Sequence, residues 1–196
     1  SKGSHNPEQQ PEAMVAIRRE EMTKAAETLG CEVIWLGFED GTLEERKAEL
    51  KELAFRTIRQ LQPYVVIVHD GWRKWELHSD HRTLGQVVAE ACYLADGCWF
   101  YPEHIAEGLQ PHRVEEIFLV RSDEPNYESD ITETFQLKVL AAAQHVSQMR
   151  SGFWRNAPAE SPVQTVEDRI RRMYERTGQD PHKEPFRKVR GTDVEL

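Results

Sequence analysis

The sequence predicts an α/β sandwich with a mostly parallel sheet, on three observations. Segments of helical apolar spacing alternate with short β-branched runs. One run, Tyr64-Val65-Val66-Ile67-Val68, is almost unbroken, as in a strand buried on both faces of a parallel sheet. A segment rich in His, Asp, Arg and Trp follows it directly, at the strand's carboxyl end, where open α/β sheets bind ligands.

The elements follow in order. Residues 7–29 predict a helix, with Met14, Val15, Ile17, Met22, Ala25, Ala26 and Leu29 at helical spacing and Gly30 as its C-terminal cap. Cys31–Gly37 reads as a short strand and Asp40-Gly41 as a turn. A helix over 43–61 stops before Pro63, and the strand at 64–68 leads through the polar segment to a helix over 80–95. Val114–Val120 predicts another strand, and Asp130-Ile131-Thr132-Glu133 resembles a capping box opening a helix to Met149. The organisation expected is one domain over 1–150, then a linker, a charged helix and a tail over 151–196. Pro158, Ser161 and Pro162 mark the linker and residues 165–176 the helix, while 179–196 have little to bury and read as an appendage. The opening on a polar loop and helix is unusual, because such folds begin with a strand.

The composition narrows the function. With 25 Lys+Arg against 34 Asp+Glu the net charge is -9, which argues against a nucleic-acid or anionic-membrane binder. No stretch approaches the roughly twenty apolar residues of a membrane span. Three cysteines, Cys31, Cys92 and Cys98, suggest reduced thiols in a cytoplasmic protein, with Cys92 an inert buried thiol.

Chemistry concentrates in His69–Arg82. His78 and His81 flank Ser79-Asp80 at a helix start, where the positive end of the helix dipole keeps an imidazole neutral and able to ligate a metal. Spacing alone leaves a solvated helix start equally open. A metal site built only from His69, Asp70, His78 and His81 is disfavoured, and His69 reads as a strand-end residue lining the cleft. Trp72, Arg73, Lys74 and Trp75 suit either a sugar-stacking wall or, slightly favoured, a loop whose tryptophans pack inward while its cations stay solvated. His145 reads as a packed core histidine, and His5, His104, His112 and His182 as surface residues. Neither a Gly-x-Ser-x-Gly elbow nor a glycine-rich dinucleotide loop is present.

The stretch from Pro63 to Arg82, ending His78-Ser79-Asp80-His81-Arg82, resembles the second metal motif of the PIG-L/LmbE-like zinc deacetylase family, with Ser79 where the family carries proline. The resemblance extends through Ala16–Glu21, Leu29-Gly30, Leu36–Gly41, Asp130–Glu133 and Gln144–Gln148, and covers about Ser1 to Arg150. It implies a Rossmann-like three-layer sandwich and a de-N-acetylase of N-acetylglucosamine-type conjugates. It also implies His81 as a zinc ligand, His78 as the histidine that stabilises the oxyanion or protonates the leaving amine, Asp80 as the group orienting His78, and Arg18 at the sugar side.

The family's His-Pro-Asp-Asp motif is absent from the 196 residues. The expectation is therefore a chain lacking its first strand-helix unit and inactive in this form, with the remaining zinc ligands upstream of Ser1. The alternative is a non-catalytic binding or scaffold domain that keeps the fold without the metal. The partner implied is a small amino-sugar conjugate, with no nucleic acid and no membrane span; a homo-oligomer is compatible with the sequence.

Overall fold

A computed structural model describes residues 10–149, 162–177 and 179–190. The chain divides into two compact units, one formed by Ser1–Gly37 with Asp130–Glu184, the other by Phe38–Ser129 with Pro185–Leu196.

In the first unit α1 (Pro11–Leu29) opens on proline, which needs no amide partner there, and ends at Gly30, whose φ of 69° lets its N–H return to Ala26 and Glu27. Met14, Ala25 and Ala26 are its buried face. A small core joins Phe135, Val139 and Ala143 of α5 (Phe135–Ala143) to Val166 of α7 (Pro162–Thr177), with Val163 and Ile170 on the same face of α7. The buried Glu21 of α1 accepts the Ser147 amide at 2.6 Å and its hydroxyl at 2.7 Å, fastening α6 (Val146–Met149) to α1.

Two expectations change here. Cys31–Gly37 forms no strand: Ile34, Trp35 and Leu36 are exposed, because apolar character makes a strand only where a neighbour takes up the backbone groups. The single helix expected over 130–149 is two, and it starts later. Asp130 Oδ1 accepts from the amide and hydroxyl of Thr132 at 2.9 and 2.7 Å, a local turn rather than a cap. The helix breaks at Gln144-His145, just where the Ser147 amide serves Glu21 instead of a helical carbonyl. His145 is half-buried at this break. His5 and the linker residues Pro158 and Ser161 lie outside the described residues.

The second unit is built on β1 (Val65–His69), β2 (Glu116–Val120), β3 (Tyr127–Asp130) and β4 (Lys183–Arg190), in the order β1-β2-β4-β3. β1 and β2 run parallel, with Val65 opposite Glu116 and His69 opposite Val120, whereas β2 and β4 are antiparallel. The mostly parallel sheet expected from the sequence is thus corrected to one parallel pair. β1 is an edge strand among the described residues, so its faces differ: Val66 and Val68 turn to the core, while Ile67 is 63% exposed.

The appendage expected at 179–196 is also corrected, since residues 183–190 form β4 inside the sheet. Its charge count conceals a strand. Phe186 is buried, and the Lys188 ammonium stands 5.1 Å from the ring centroids of Phe118 and Tyr127 while reaching Glu116 at 2.7 Å.

One face of the sheet is covered by α2 (Lys47–Leu61) and α3 (Ser79–Leu94), whose Leu50, Phe55, Ile58, Val87, Ala91 and Cys92 pack with Val68, Ile117 and Leu119. No helix among the described residues is long and apolar enough to cross a membrane. Arg59, 2% exposed, closes the far end of α3. Its five N–H groups go to the carbonyls of Ala95, Gly97, Phe100 and Tyr101 and to His104 Nδ1 at 3.1 Å. His104, in α4 (Pro102–Ala106), is fully buried rather than at the surface as expected; accepting from Arg59 at Nδ1, it donates from Nε2 to Glu52 at 2.8 Å. His112 is half-buried too and reaches the carbonyl of Pro63 at 2.9 Å.

Replacing Arg59 with Ala is expected to destabilise the protein by about 3 kcal/mol or more, because four carbonyls and an imidazole lose their donor in a buried site; the midpoint of urea unfolding measures it. Burial pushes the Cys92 thiol up to about 12, whereas Cys31 and Cys98 are exposed. A disulfide-exchange reagent at mildly alkaline pH should therefore titrate two thiols in the native protein and the third only after unfolding.

Candidate active site

The site begins with two glycines. A Cβ on Gly85 of α3 would fall 2.4 Å from the carbonyl oxygen of His69 and 2.6 Å from the amide of Gly71; one on Gly71 would fall 2.5 Å from the amide of Gln86. Hydrogen in both places lets the helix lie against the end of β1. The Gln86 side chain then donates to the Gly71 carbonyl at 2.9 Å, and the Asp70 amide extends the β1–β2 pairing to the Val120 carbonyl.

This approach aligns three imidazoles. His69 and His81 stack with centroids 4.4 Å apart and planes 5° apart; His81 and His78 stack at 4.5 Å and 13°. His78 is the N-cap residue of α3 but caps nothing with its side chain, so the ring is left to close the column at its more open end, 45% exposed. Its Nε2 lies 3.8 Å from Asp40 Oδ1. His81 Nδ1 is buried without a hydrogen-bond partner, 3.5 Å from Glu76 Oε2. Burial, and then the neighbouring His81, holds the His69 imidazole below its ordinary range, while the His78 amide that Glu76 accepts lowers that carboxyl.

Asp80 makes its hydrogen bonds to the turn at Asp40-Gly41. The buried carboxylate accepts the amides of Gly41 at 2.6 Å and Leu43 at 3.1 Å, tying the Asp40-Gly41 turn to α3 and so setting Asp40, not Asp80, beside His78. Thr83 strengthens the tie with a hydroxyl donated to Glu44. Arg18 belongs to the first unit, where Gln148, with its carboxamide oxygen turned toward the guanidinium, accepts from Nε and Nη2 at 2.9 Å each. Of the residues singled out from the sequence, then, the second unit assembles His78, His81 and His69, and adds Asp40 and Glu76, which sequence reasoning missed. Glu76 stood two positions before His78 in the same segment; Asp40 stood in a turn signal and in the Leu36–Gly41 stretch of the resemblance, with no role attached to it.

The loop of Trp72–Trp75 reverses the reading the sequence favoured. Both indoles face outward, and Arg73 is tucked between Glu76 and Asp123 at 3.5 and 3.7 Å. Among the described residues no set of three or more His, Cys, Asp or Glu side chains could hold a metal ion. His81, whose Nδ1 faces Glu76, suits one position of a larger ligand set through its other ring nitrogen, but the column by itself is not a metal centre.

The sequence model of the PIG-L family, described as GlcNAc-PI de-N-acetylase, matches residues 1–92, which include the whole histidine column. The chain is 33% identical over 142 residues to the diacetylchitobiose deacetylase of Thermococcus kodakarensis, a match covering 71% of this chain and 53% of that protein. This chain belongs to the PIG-L/LmbE-like deacetylase family. The match spans about half the length of that curated relative.

Among solved structures, the family fold is seen in the N,N'-diacetylchitobiose deacetylase of Pyrococcus horikoshii in complex with its inhibitor. The TM-score is 0.80 at 27% identity, covering 99% of this chain and 71% of that one. A conserved protein of Thermus thermophilus shares the fold at a TM-score of 0.64 and 24% identity, over 99% and 80% of the two chains. So does the 4-carboxy-2-hydroxymuconate hydratase GalB of Pseudomonas putida, at 0.60 and 19%, over 94% and 76%. The family that His78–Arg82 resembles is thus the family the comparisons return.

Gly85→Ala tests how far the column depends on the glycine contact. Because a methyl group there meets backbone rather than a yielding side chain, the variant is expected to lose about 2 kcal/mol or more of stability. The NMR signals of His69 and His81 should shift with it, and unchanged signals would show that the contact does not position the rings.

Proposed function

We propose that the protein is a zinc-dependent hydrolase that removes the N-acetyl group from an N-acetylglucosamine-type conjugate. The observation that carries this reading is the column His69–His81–His78 at the carboxyl end of β1. The kinship with diacetylchitobiose deacetylases supports the substrate class. The unpaired thiols support a cytoplasmic setting.

His81 would hold the zinc with one ring nitrogen, beside donors other than the described residues. Bound zinc supplies a Lewis acid and a water whose pKa falls toward about 7. The remaining work belongs to side chains of this unit. His69 stacks on His81 and fixes its ring plane. Glu76, 3.5 Å from His81 Nδ1, gives that nitrogen a carboxylate neighbour, the outer-shell partner that sets a ligating ring's tautomer. His78, at the open end of the column, can hold a proton at Nε2 and pass it to a developing oxyanion or a leaving amine, with Asp40 as counter-charge. Asp80 is a positioning residue, acting through the turn that carries Asp40.

The test is metal analysis and turnover of N-acetylated amino sugars by the protein expressed from its complete open reading frame. About one zinc per chain is expected; His81→Ala should lose it, and His78→Ala should keep it while kcat falls roughly a hundredfold or more. The 196-residue form should hold little zinc and show no turnover. Zinc retained in the His81 variant overturns the ligand assignment, and an intact protein with neither zinc nor turnover points to the non-catalytic binding domain.

A further inference from the structure

The turn that follows α3, at the end remote from the histidine column, presents a bare indole. Among the described residues no large apolar side chain is more exposed than Trp99, at 88%. The turn itself is held fast. Arg59 Nη2 donates to the Gly97 carbonyl at 3.0 Å and to the Phe100 carbonyl at 2.8 Å, one on each side of Cys98-Trp99. The Phe100 amide closes the turn on the Gly97 carbonyl at 3.2 Å, and the Phe100 ring lies against buried Phe55 with centroids 5.8 Å apart. Tyr101 then holds φ at 50°, a left-handed conformation that a bulky residue adopts at a cost. An indole on so rigid a turn loses little freedom when a partner covers it, which suits it to be an anchor.

A seat for such an anchor lies on the same unit. Between α3 and the strands β2 and β4 opens a groove of about 310 Å³ with almost wholly apolar walls, formed by Trp72, Ala89, Tyr93, Ile117 and Val189. That volume is at the small end of the roughly 300–1,000 Å³ of ligand cavities and has room for one large aromatic side chain. Tyr93 joins the two features. It lines the groove from the last turn of α3, and the Arg113 guanidinium stands 5.6 Å from its ring while pairing at 2.7 Å with Asp96, next to the Trp99 turn. Knob and groove therefore belong to one continuous patch, as a closed twofold contact requires; on opposite sides of the molecule the same fit would propagate an open filament.

Charge points to the same occupant. The chain carries a net charge of -9, so two copies meeting at random faces repel. On this patch each anion has a cation beside it: Asp96 has Arg113, Glu90 at the groove has Lys51 at 2.5 Å, and Glu116 has Arg190 at 4.0 Å. A patch of alternating sign is complementary to its own image. We propose that it is the interface of a homodimer, in which Trp99 of each copy fills the groove of the other across a twofold axis. None of these residues belongs to the histidine column, so the contact stands or falls apart from the deacetylase reading.

Sedimentation equilibrium of the intact chain tests this. The unmodified protein is expected to sediment as a dimer with a dissociation constant of about 1 μM. Trp99→Ala should weaken association by about a hundredfold or more, because a twofold contact loses its anchor twice. Ala89→Phe, which fills the groove from its own wall, should do the same. Mixing the two variants should recover part of the association, since the indole of one meets the open groove of the other. Trp99 is too exposed for its removal to unfold the protein, and circular dichroism checks both variants. A protein that stays monomeric, a dimer that Trp99→Ala leaves unchanged, or a pair of folded variants that recovers nothing on mixing overturns the proposal.

Discussion

The contact between Gly71 and Gly85 is the constraint from which the geometry of the histidine column follows. A helix normally stands off a strand by the depth of its side chains; here neither backbone has any at the point of contact. Glycine inside a helix costs about 1 kcal/mol in propensity, and what that offsets is position. With α3 drawn onto the end of β1, its first turn delivers His81 over His69 and leaves His78 above His81. Asp80, on the same turn, then takes hold of the Gly41 and Leu43 amides and brings Asp40 into place. Helix, strand and turn thus meet through one close approach.

What the sequence disclosed, and what it hid, divides along contact distance in the chain. The strand at Val65–His69 and the end of α2 before Pro63 were legible because β-branched runs and proline act on their immediate neighbours. The two histidines were legible because a helix start places residues three apart side by side. Asp40 was not, since the bond that brings its turn to Asp80 spans 39 positions. His104 looked like a surface residue beside Pro102 and Glu103, yet Arg59, 45 positions earlier, buries it. Trp72 and Trp75 were read as anchors because indoles usually are; their exposure is a property of the loop's path, which no local pattern encodes.

The fold alone does not say which reaction is run. GalB, described as a hydratase, shares this architecture at 19% identity, so the same sheet and helices accompany different chemistry. The chemistry lies in the groups gathered at the carboxyl end of the parallel pair: three stacked imidazoles, two carboxylates beside them, and an arginine that shares one of those carboxylates with the central ring.

The place of β4 has a consequence for synthesis. β2 and β3 lie close in the chain but do not pair with each other; each borders β4, and the Asn126–Lys188 contact that helps join them spans 62 positions. A nascent polypeptide must therefore hold two bare strand edges until the segment around Lys183–Arg190 leaves the ribosome.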